Sequence, residues 1–563
     1  MAWAALVLGS ACSSGPAPWD GPQLTEPRTS LTVDELQNGA LPPLLDLTFL
    51  ARPDWASGDG APATLGLRLE TAPFTMDFPA TRDLYAGEEL FPAVTLELVA
   101  RDGLLIPAER SLVVTSDASD SLWDVLVGTG ASWREADDGD WSRASFPLGL
   151  VDRFFNQVRN CVATFVYRDE EVSDAYVQCS QETADAQDQQ LGDLRALVPA
   201  TWTPSSADPA ALLQAHAQAE DGRLPSRPLS EWDENGAIGA LFDRNVLTSA
   251  STSVGAVYAD GTLWVHPART RHGLHPYPAA MRHGVYSVTK TMAGALAMLH
   301  LAQRYGDDEV FGARIVDFVP GLAGRAEWAD VTFADALDMA TGTRGGEGAD
   351  LLYEPLVLAE NTDEAIANIA ALGDGAGAPG EVFTYATTNT FVLSVALQRF
   401  VQGREGDGVT YWDLVRDGVL EPIGAEGLNL LHTREAPEAR IPYLGFGARV
   451  TLDQAAKIAV LMANDGTHDG AQLLHQGRLR AALGQTDWDG LRVNDQLRYR
   501  HSFWSRSVVT GTCRAELSYM EGHGSNHIVF LPSGAIVFRF MDEGADDLVP
   551  LVRSVERVRS SCD

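Results

Sequence analysis

The sequence predicts an α+β protein with a β-rich N-terminal domain ahead of a larger domain that has strands at both ends and helices between. Three observations carry this. Residues 42–197 are short apolar runs broken by Gly, Pro and Asp, the texture of strands and turns. The second half opens and closes on hairpin signals and has helical periodicity in its middle. Across 563 residues, 45% are apolar and 21% charged, so the chain can fill sizeable cores and does not have a disordered composition.

The first twelve residues, ending at Cys12, form an apolar run too short to span a bilayer. The run resembles the end of a bacterial lipoprotein signal, in which small residues lead to a lipidated cysteine. Leu8 stands four residues before Cys12, where the usual spacing is three, and no Lys or Arg precedes the run. The resemblance implies a leader and tether over 1–41. It also implies attachment to a membrane through the lipid alone and a place in the bacterial cell envelope.

In the β-rich domain, 42–197, strands are expected at 44–50, 64–69, 94–100, 161–167 and 174–179, with a turn at 168–173. Residues 180–197 read as a helix or connector. The Pro/Ser/Thr-biased stretch 199–209 reads as linker, part of a linker expected over 198–234. Besides Cys12 there are Cys161, Cys179, Cys513 and Cys562. An exported protein would pair them as Cys161–Cys179 and Cys513–Cys562; buried free thiols are the alternative.

The third region, 235–563, starts with strands 254–258 and 262–265 about the turn Asp260-Gly261. Helices are expected at 291–305, ending at Gly306, and at 388–400, 453–462 and 546–560. A second hairpin, 527–531 with 535–540, turns at Pro532-Ser533-Gly534.

Charge excludes one class of partner. There are 41 Lys+Arg against 77 Asp+Glu, a net charge of −36, which repels nucleic acid. Of those 41 cations only Lys290 and Lys457 are lysines. Lys can lose its proton in a buried site and Arg cannot, so a lone lysine in an arginine-writing chain is informative. Lys457 reads as an ordinary helix residue. Lys290 closes Ser287-Val288-Thr289-Lys290 at the mouth of a helix, where i and i+3 share a face. A serine hydroxyl needs a base to become a nucleophile, and a desolvated lysine can be that base.

Five blocks in order carry a resemblance. They are Tyr286-Ser287-Val288-Thr289-Lys290-Thr291; residues 331–342, ending Met339-Ala340-Thr341-Gly342; Pro379-Gly380 through Tyr385-Ala386-Thr387; residues 445–461; and Gly522-His523-Gly524-Ser525-Asn526 before the closing hairpin. Together they resemble the serine β-lactamase and penicillin-binding-protein superfamily, in its class C-like branch of esterases, D-aminopeptidases and 6-aminohexanoate-dimer hydrolases.

The resemblance implies a β-lactamase/transpeptidase-like fold over 235–563, an antiparallel sheet with flanking helices plus a helical subdomain. It implies a serine hydrolase acting through an acyl-enzyme on a small-molecule or peptide-like ester or amide, with no cofactor. Ser287 would be acylated, Lys290 would take its proton, and Tyr385 would pass the proton to the leaving group. The oxyanion donors would be the N–H groups of Ser287 and of His523 after Gly522; a shifted register would give Ser525. Thr387 stands where the family has Asn and would contact substrate. Met520-Glu521-Gly522 replaces the family's Lys/His-x-Gly, so the cation that receives a lactam carboxylate is missing and Glu521 is left to meet a substrate amine. That departure predicts a poor β-lactamase. A catalytically silent binding or sensing lipoprotein, or a true β-lactamase or D-peptidase, are the alternatives.

His266, His272, His275 and His283 cluster in sequence but without a carboxylate at ligand spacing, so no metal is expected. Asp137-Asp138-Gly139-Asp140 lacks calcium-loop spacing and reads as a solvated turn.

Overall fold

Two sheets organise the chain, and helices cover mainly the second. In the computed structural model the described residues are 31–76, 84–115, 120–181, 193–243, 252–270, 272–436, 439–510, 513–541 and 548–562. The expected leader and Cys12 lie outside them.

Among the described residues the first sheet has thirteen strands. At its centre Ser142–Asp152 pairs antiparallel with Val158–Arg168, in register from Ser142 opposite Tyr167 to Val151 opposite Val158. Both strands are buried almost throughout, because alternate residues enter two different cores. Cys161, Ala163 and Phe165 pack into one, and Val162 and Val166 join Leu36, Leu45 and Leu47 in the other. Cys161 lies directly opposite Cys179, and the two are bonded as a disulfide.

Five sequence readings change here. The expected strand 44–50 is instead the short 3-10 turn Leu47–Leu50, because the Asp46 carboxylate accepts from the Thr48 N–H at 3.0 Å and bends the chain. Leu194–Val198, read as helix or connector, is a strand against Ala175–Gln181. Ala200–Thr203, read as linker, is a strand against Ala63–Leu69. Both runs are only four or five residues long, so only their partners identify them as strands. The rest of the expected linker holds a helix, Pro209–Asp221, started by Asp208 as N-cap, and the strand Ser226–Pro228. The Asp137–Asp140 turn is not wholly solvated: Asp138 is buried against the Arg143 guanidinium, which donates to it at 2.6 and 2.8 Å.

Among the described residues the second sheet has nine strands, in the order Ser226–Pro228, Thr262–Val265, Thr252–Ala259, Ile536–Met541, Asn526–Phe530, Cys513–Gly522, Phe503–Thr510, Leu497–Arg500 and Leu491–Arg492. All pairings are antiparallel except the first. Asp260 and Gly261 have φ of 50° and 78°, as the hairpin turn between the early strands requires. This is the β-lactamase/transpeptidase-like arrangement, with the first and last strands of the domain side by side.

Alternation again divides the faces. Met520, Ile528 and Phe538 point into a large core shared with Leu296–Tyr305, Thr387–Glu405 and Leu452–Ala463. Tyr519, Val529 and Val537 point the other way, onto Leu551, Val552 and Val555 of the terminal helix Leu548–Val558. The Cys513–Cys562 disulfide ties the end of that helix to the sheet. Among the described residues no helix is long and apolar enough to cross a membrane.

Candidate active site

The chain approaches the site through a strained residue. Tyr286, a bulky aromatic, has φ of 45°, in the left-handed region. Tyr286–Val288 then make one 3-10 turn, Lys290–Ala295 widen into a π-type turn, and Leu296–Tyr305 continue as α-helix to Gly306, whose φ is 107°. The Ser-x-x-Lys spacing therefore acts through mixed helical geometry, and it still brings Lys290 Nζ to 3.0 Å from Ser287 Oγ.

Lys290 is fully buried, and its remaining contacts orient it. Nζ donates to Thr387 Oγ1 at 2.9 Å and to the Gly445 carbonyl at 2.8 Å. The carbonyl can only accept. Thr387 Oγ1 spends its own hydrogen on Glu347 Oε2 at 2.9 Å, so it also accepts from the lysine. Two of the three amine directions are thus committed to donation. The third, facing Ser287, is where a neutral amine holds its lone pair. Burial pushes the Lys290 pKa down to about 8, while the Glu347 charge pulls it upward.

Glu347 was not singled out in the sequence. Its Oε1 accepts from the Thr387 N–H at 2.6 Å. Its pKa is raised by burial, against the opposing pull of Lys290. Glu347 stands in Gly345-Gly346-Glu347-Gly348, a flexible frame around one acid, and that frame was the available signal. Gly445, too, is recognised only in space: a Cβ there would lie 2.7 Å from Thr387 Cγ2, so glycine lets its carbonyl reach the lysine.

Tyr385 comes in on the segment whose Thr384 N–H donates to the Met339 carbonyl at 2.7 Å. Its ring stacks on Trp504, centroids 5.7 Å apart, with Phe383 and Tyr499 around it. Lys290 Nζ is 4.9 Å from the ring centre. The phenol lies beside Ser287, and its pKa is pushed well above the usual value by burial and by the charges of Glu347 and Glu521.

The closing strand completes the cleft. A Cβ on Gly522 would lie 2.1 Å from the Val285 carbonyl oxygen and 3.2 Å from Ser287 N, so this residue must be glycine for the strand to pass the serine. His523 follows it, its ring edge-to-face on Tyr286 with centroids 5.1 Å apart. Ser525 sits beyond, in the turn, at φ of 64°. The structure therefore brings Ser287, Lys290, Tyr385, Thr387, Gly522, His523 and Glu521 to one cleft. Met520 is buried in the core beneath it.

The four clustered histidines do not converge. His266 Nε2 is 2.8 Å from Asp243, His272 Nε2 is 2.8 Å from Asp193, and His283 packs on Phe540. Among the described residues no three His, Cys, Asp or Glu side chains form a metal-sized group. Lys457 bonds Asp453 and the Gly424 carbonyl, each at 2.7 Å, as a helix residue does.

Residues 248–507 match the family model named Beta-lactamase. These residues carry a Beta-lactamase domain. The matched part of this Beta-lactamase domain holds Ser287, Lys290, Glu347, Tyr385, Thr387 and Gly445, and ends before the closing strand. Among solved structures the chain is similar to a penicillin binding protein from Bacillus halodurans, with 14% identity, 61% of this chain and 99% of that one covered, and a TM-score of 0.41. It is similar to a class C beta-lactamase at 15% identity, with 59% and 95% covered and a TM-score of 0.41. A family VIII carboxylesterase stands at 17% identity, with 59% and 98% covered and a TM-score of 0.41. No curated protein matches the chain significantly.

Proposed function

We propose that the Beta-lactamase domain is a serine hydrolase that acts through an acyl-enzyme on ester or amide substrates and is a poor β-lactamase. The observation that carries this is the Lys290 amine, buried, held by Thr387 and Gly445, and turned toward Ser287 at 3.0 Å.

In this reading Ser287 Oγ attacks the substrate carbonyl carbon and its proton passes to Lys290. The oxyanion receives hydrogen bonds from the N–H groups of Ser287 and His523. Tyr385, beside Ser287, carries the proton to the departing oxygen or nitrogen. Water then repeats the sequence on the acyl-enzyme. Lys290 offsets the charge of Glu347, Glu521 is left as an acid acting on Tyr385, and Met520 supplies no second cation. That balance disfavours anionic substrates and favours neutral or amine-bearing ones. From the resemblance of the first twelve residues to a lipoprotein signal, we propose that the enzyme works in the cell envelope, anchored at Cys12.

A fluorophosphonate probe, a short-chain p-nitrophenyl ester and nitrocefin, offered to one preparation, test the reading. The wild type is expected to label and to cleave the ester, and Ser287→Ala to do neither. A wild type that does not label favours the silent binding protein. Nitrocefin turnover near the roughly 10⁶–10⁸ M⁻¹s⁻¹ of efficient enzymes, without ester cleavage, makes it a β-lactamase proper.

A further inference from the structure

The loop 153–157 joins the two central strands of the first sheet, and it ends inside the second domain. Asp152 shapes it: Oδ1 accepts from the N–H groups of Phe154 at 2.6 Å and Phe155 at 3.1 Å, a side-chain turn that carries Asn156 forward. Asn156 is fully buried. Its Oδ1 accepts from the Tyr286 N–H at 2.7 Å and the Gly447 N–H at 2.9 Å, and its Nδ2 donates to the Ala448 carbonyl at 3.1 Å.

Those partners are informative. Tyr286 directly precedes Ser287 and is the residue held in the left-handed region. Gly447 and Ala448 follow Gly445, whose carbonyl holds Lys290. One side chain of the N-terminal domain is thus bonded to both backbone segments that fix the serine against its base. The same two segments are joined again by Val285 N–H to the Ala448 carbonyl at 3.1 Å and by Ala448 N–H to Thr289 Oγ1 at 3.0 Å. Arg449, buried next to them, donates to the backbone carbonyls of Asp152 and Phe155.

We infer that Asn156 is a positioning residue for acylation, so that the β-rich domain is a working part of the hydrolase and not an appendage. The inference rests on the serine-hydrolase reading above. Without the Asn156 carbonyl, two buried N–H groups lose their acceptor, and the segments carrying Ser287 and the Gly445 carbonyl are free to shift against each other. A displacement of about 1 Å in such a pair is worth about 10²-fold in rate.

A purely structural role would predict something else, and Asn160 supplies the comparison. It also crosses between the domains, exchanging two hydrogen bonds of 2.8 Å with the Arg282 backbone, but it touches neither catalytic segment.

The test compares Asn156→Leu, Asn156→Asp and Asn160→Ala in the full chain, measuring fluorophosphonate labelling rate, ester kcat and KM, and Tm. Asn156→Leu is expected to lose about 10²-fold in labelling rate and kcat with KM within a few-fold. Asn156→Asp keeps the acceptor and is expected to stay within about tenfold of wild type. Asn160→Ala is expected to lower Tm and leave labelling unchanged. If Asn156→Leu does not fold, Asn156→Ser, too short to reach both N–H groups, takes its place. Wild-type labelling at Asn156→Leu, or losses that simply follow Tm across all three variants, overturns the inference alone. A wild type that does not label overturns the hydrolase reading and this inference with it.

Discussion

At the scale of single residues, the chemistry turns on how Lys290 is held. Its pKa of about 8 means that the neutral amine, the form able to take the Ser287 proton, is a minority at pH 7 and grows as pH rises. The acidic limb of kcat/KM for a neutral ester is therefore expected near pH 8. A flat profile from pH 6 to 9 would show that another group is the base. Lys290→Arg keeps the charge but cannot accept a proton, and is expected to lose at least about 10²-fold. Activity within a few-fold of wild type would mean that position 290 needs only a cation.

Glu347 allows a sharper test, because it acts on Lys290 in two ways. Its charge raises the lysine pKa, so Glu347→Gln should move the acidic limb to lower pH. Its Oε2 also takes the Thr387 hydrogen, which keeps the Thr387 oxygen an acceptor for the lysine. A glutamine can present its NH₂ there and let the threonine hydrogen compete for the lysine lone pair. We expect kcat to fall by about tenfold while the limb moves down. An unchanged limb, read from the kcat/KM pH profile, would remove Glu347 from the network.

At the scale of elements, the decisive contact is the closing strand against the turn that carries Ser287. Only a residue without a side chain lets Cys513–Gly522 run beside the Val285 carbonyl. Gly522→Ala would press a methyl onto backbone that is itself packed, so the strand must retreat and take the His523 N–H with it. The expected result is a loss of about 10²–10³ in kcat, the scale of a lost oxyanion donor, with Lys290 still titrating near pH 8. Near-normal kcat in this variant would show that the oxyanion site is built elsewhere.

At the scale of the whole molecule, charge and architecture act together. The chain's net charge is −36, and the cleft carries Glu521 beside the mutually offset Lys290 and Glu347. Amine-bearing esters should be drawn to it and neutral ones not. Raising salt from about 50 mM to about 500 mM is expected to lower kcat/KM for a cationic ester several-fold while leaving a neutral ester of the same chain length unchanged. Equal salt response in both would deny this charge a role in selection.

The sequence by itself determined the elements whose signals are local. Ser287 and Lys290 were legible because a helical spacing brings i and i+3 together, and because lysine is so rare in this chain. The hairpin at Asp260-Gly261 and the helix stop at Gly306 were legible for the same reason, since each is a short pattern with a conformational cause, while the Tyr385 segment and Gly522 were legible only through the resemblance to a known superfamily. Tertiary structure alone decided what depends on distant partners. Leu194–Val198 and Ala200–Thr203 are strands only because neighbours pair with them, and 44–50 is not one because Asp46 turns it. Glu347, 57 residues after Lys290, and Asn156, 131 residues before Ser287, enter the site through packing that no local pattern encodes. Their influence is carried by hydrogen bonds between segments remote in the chain, and only the folded molecule brings those segments within reach of one another.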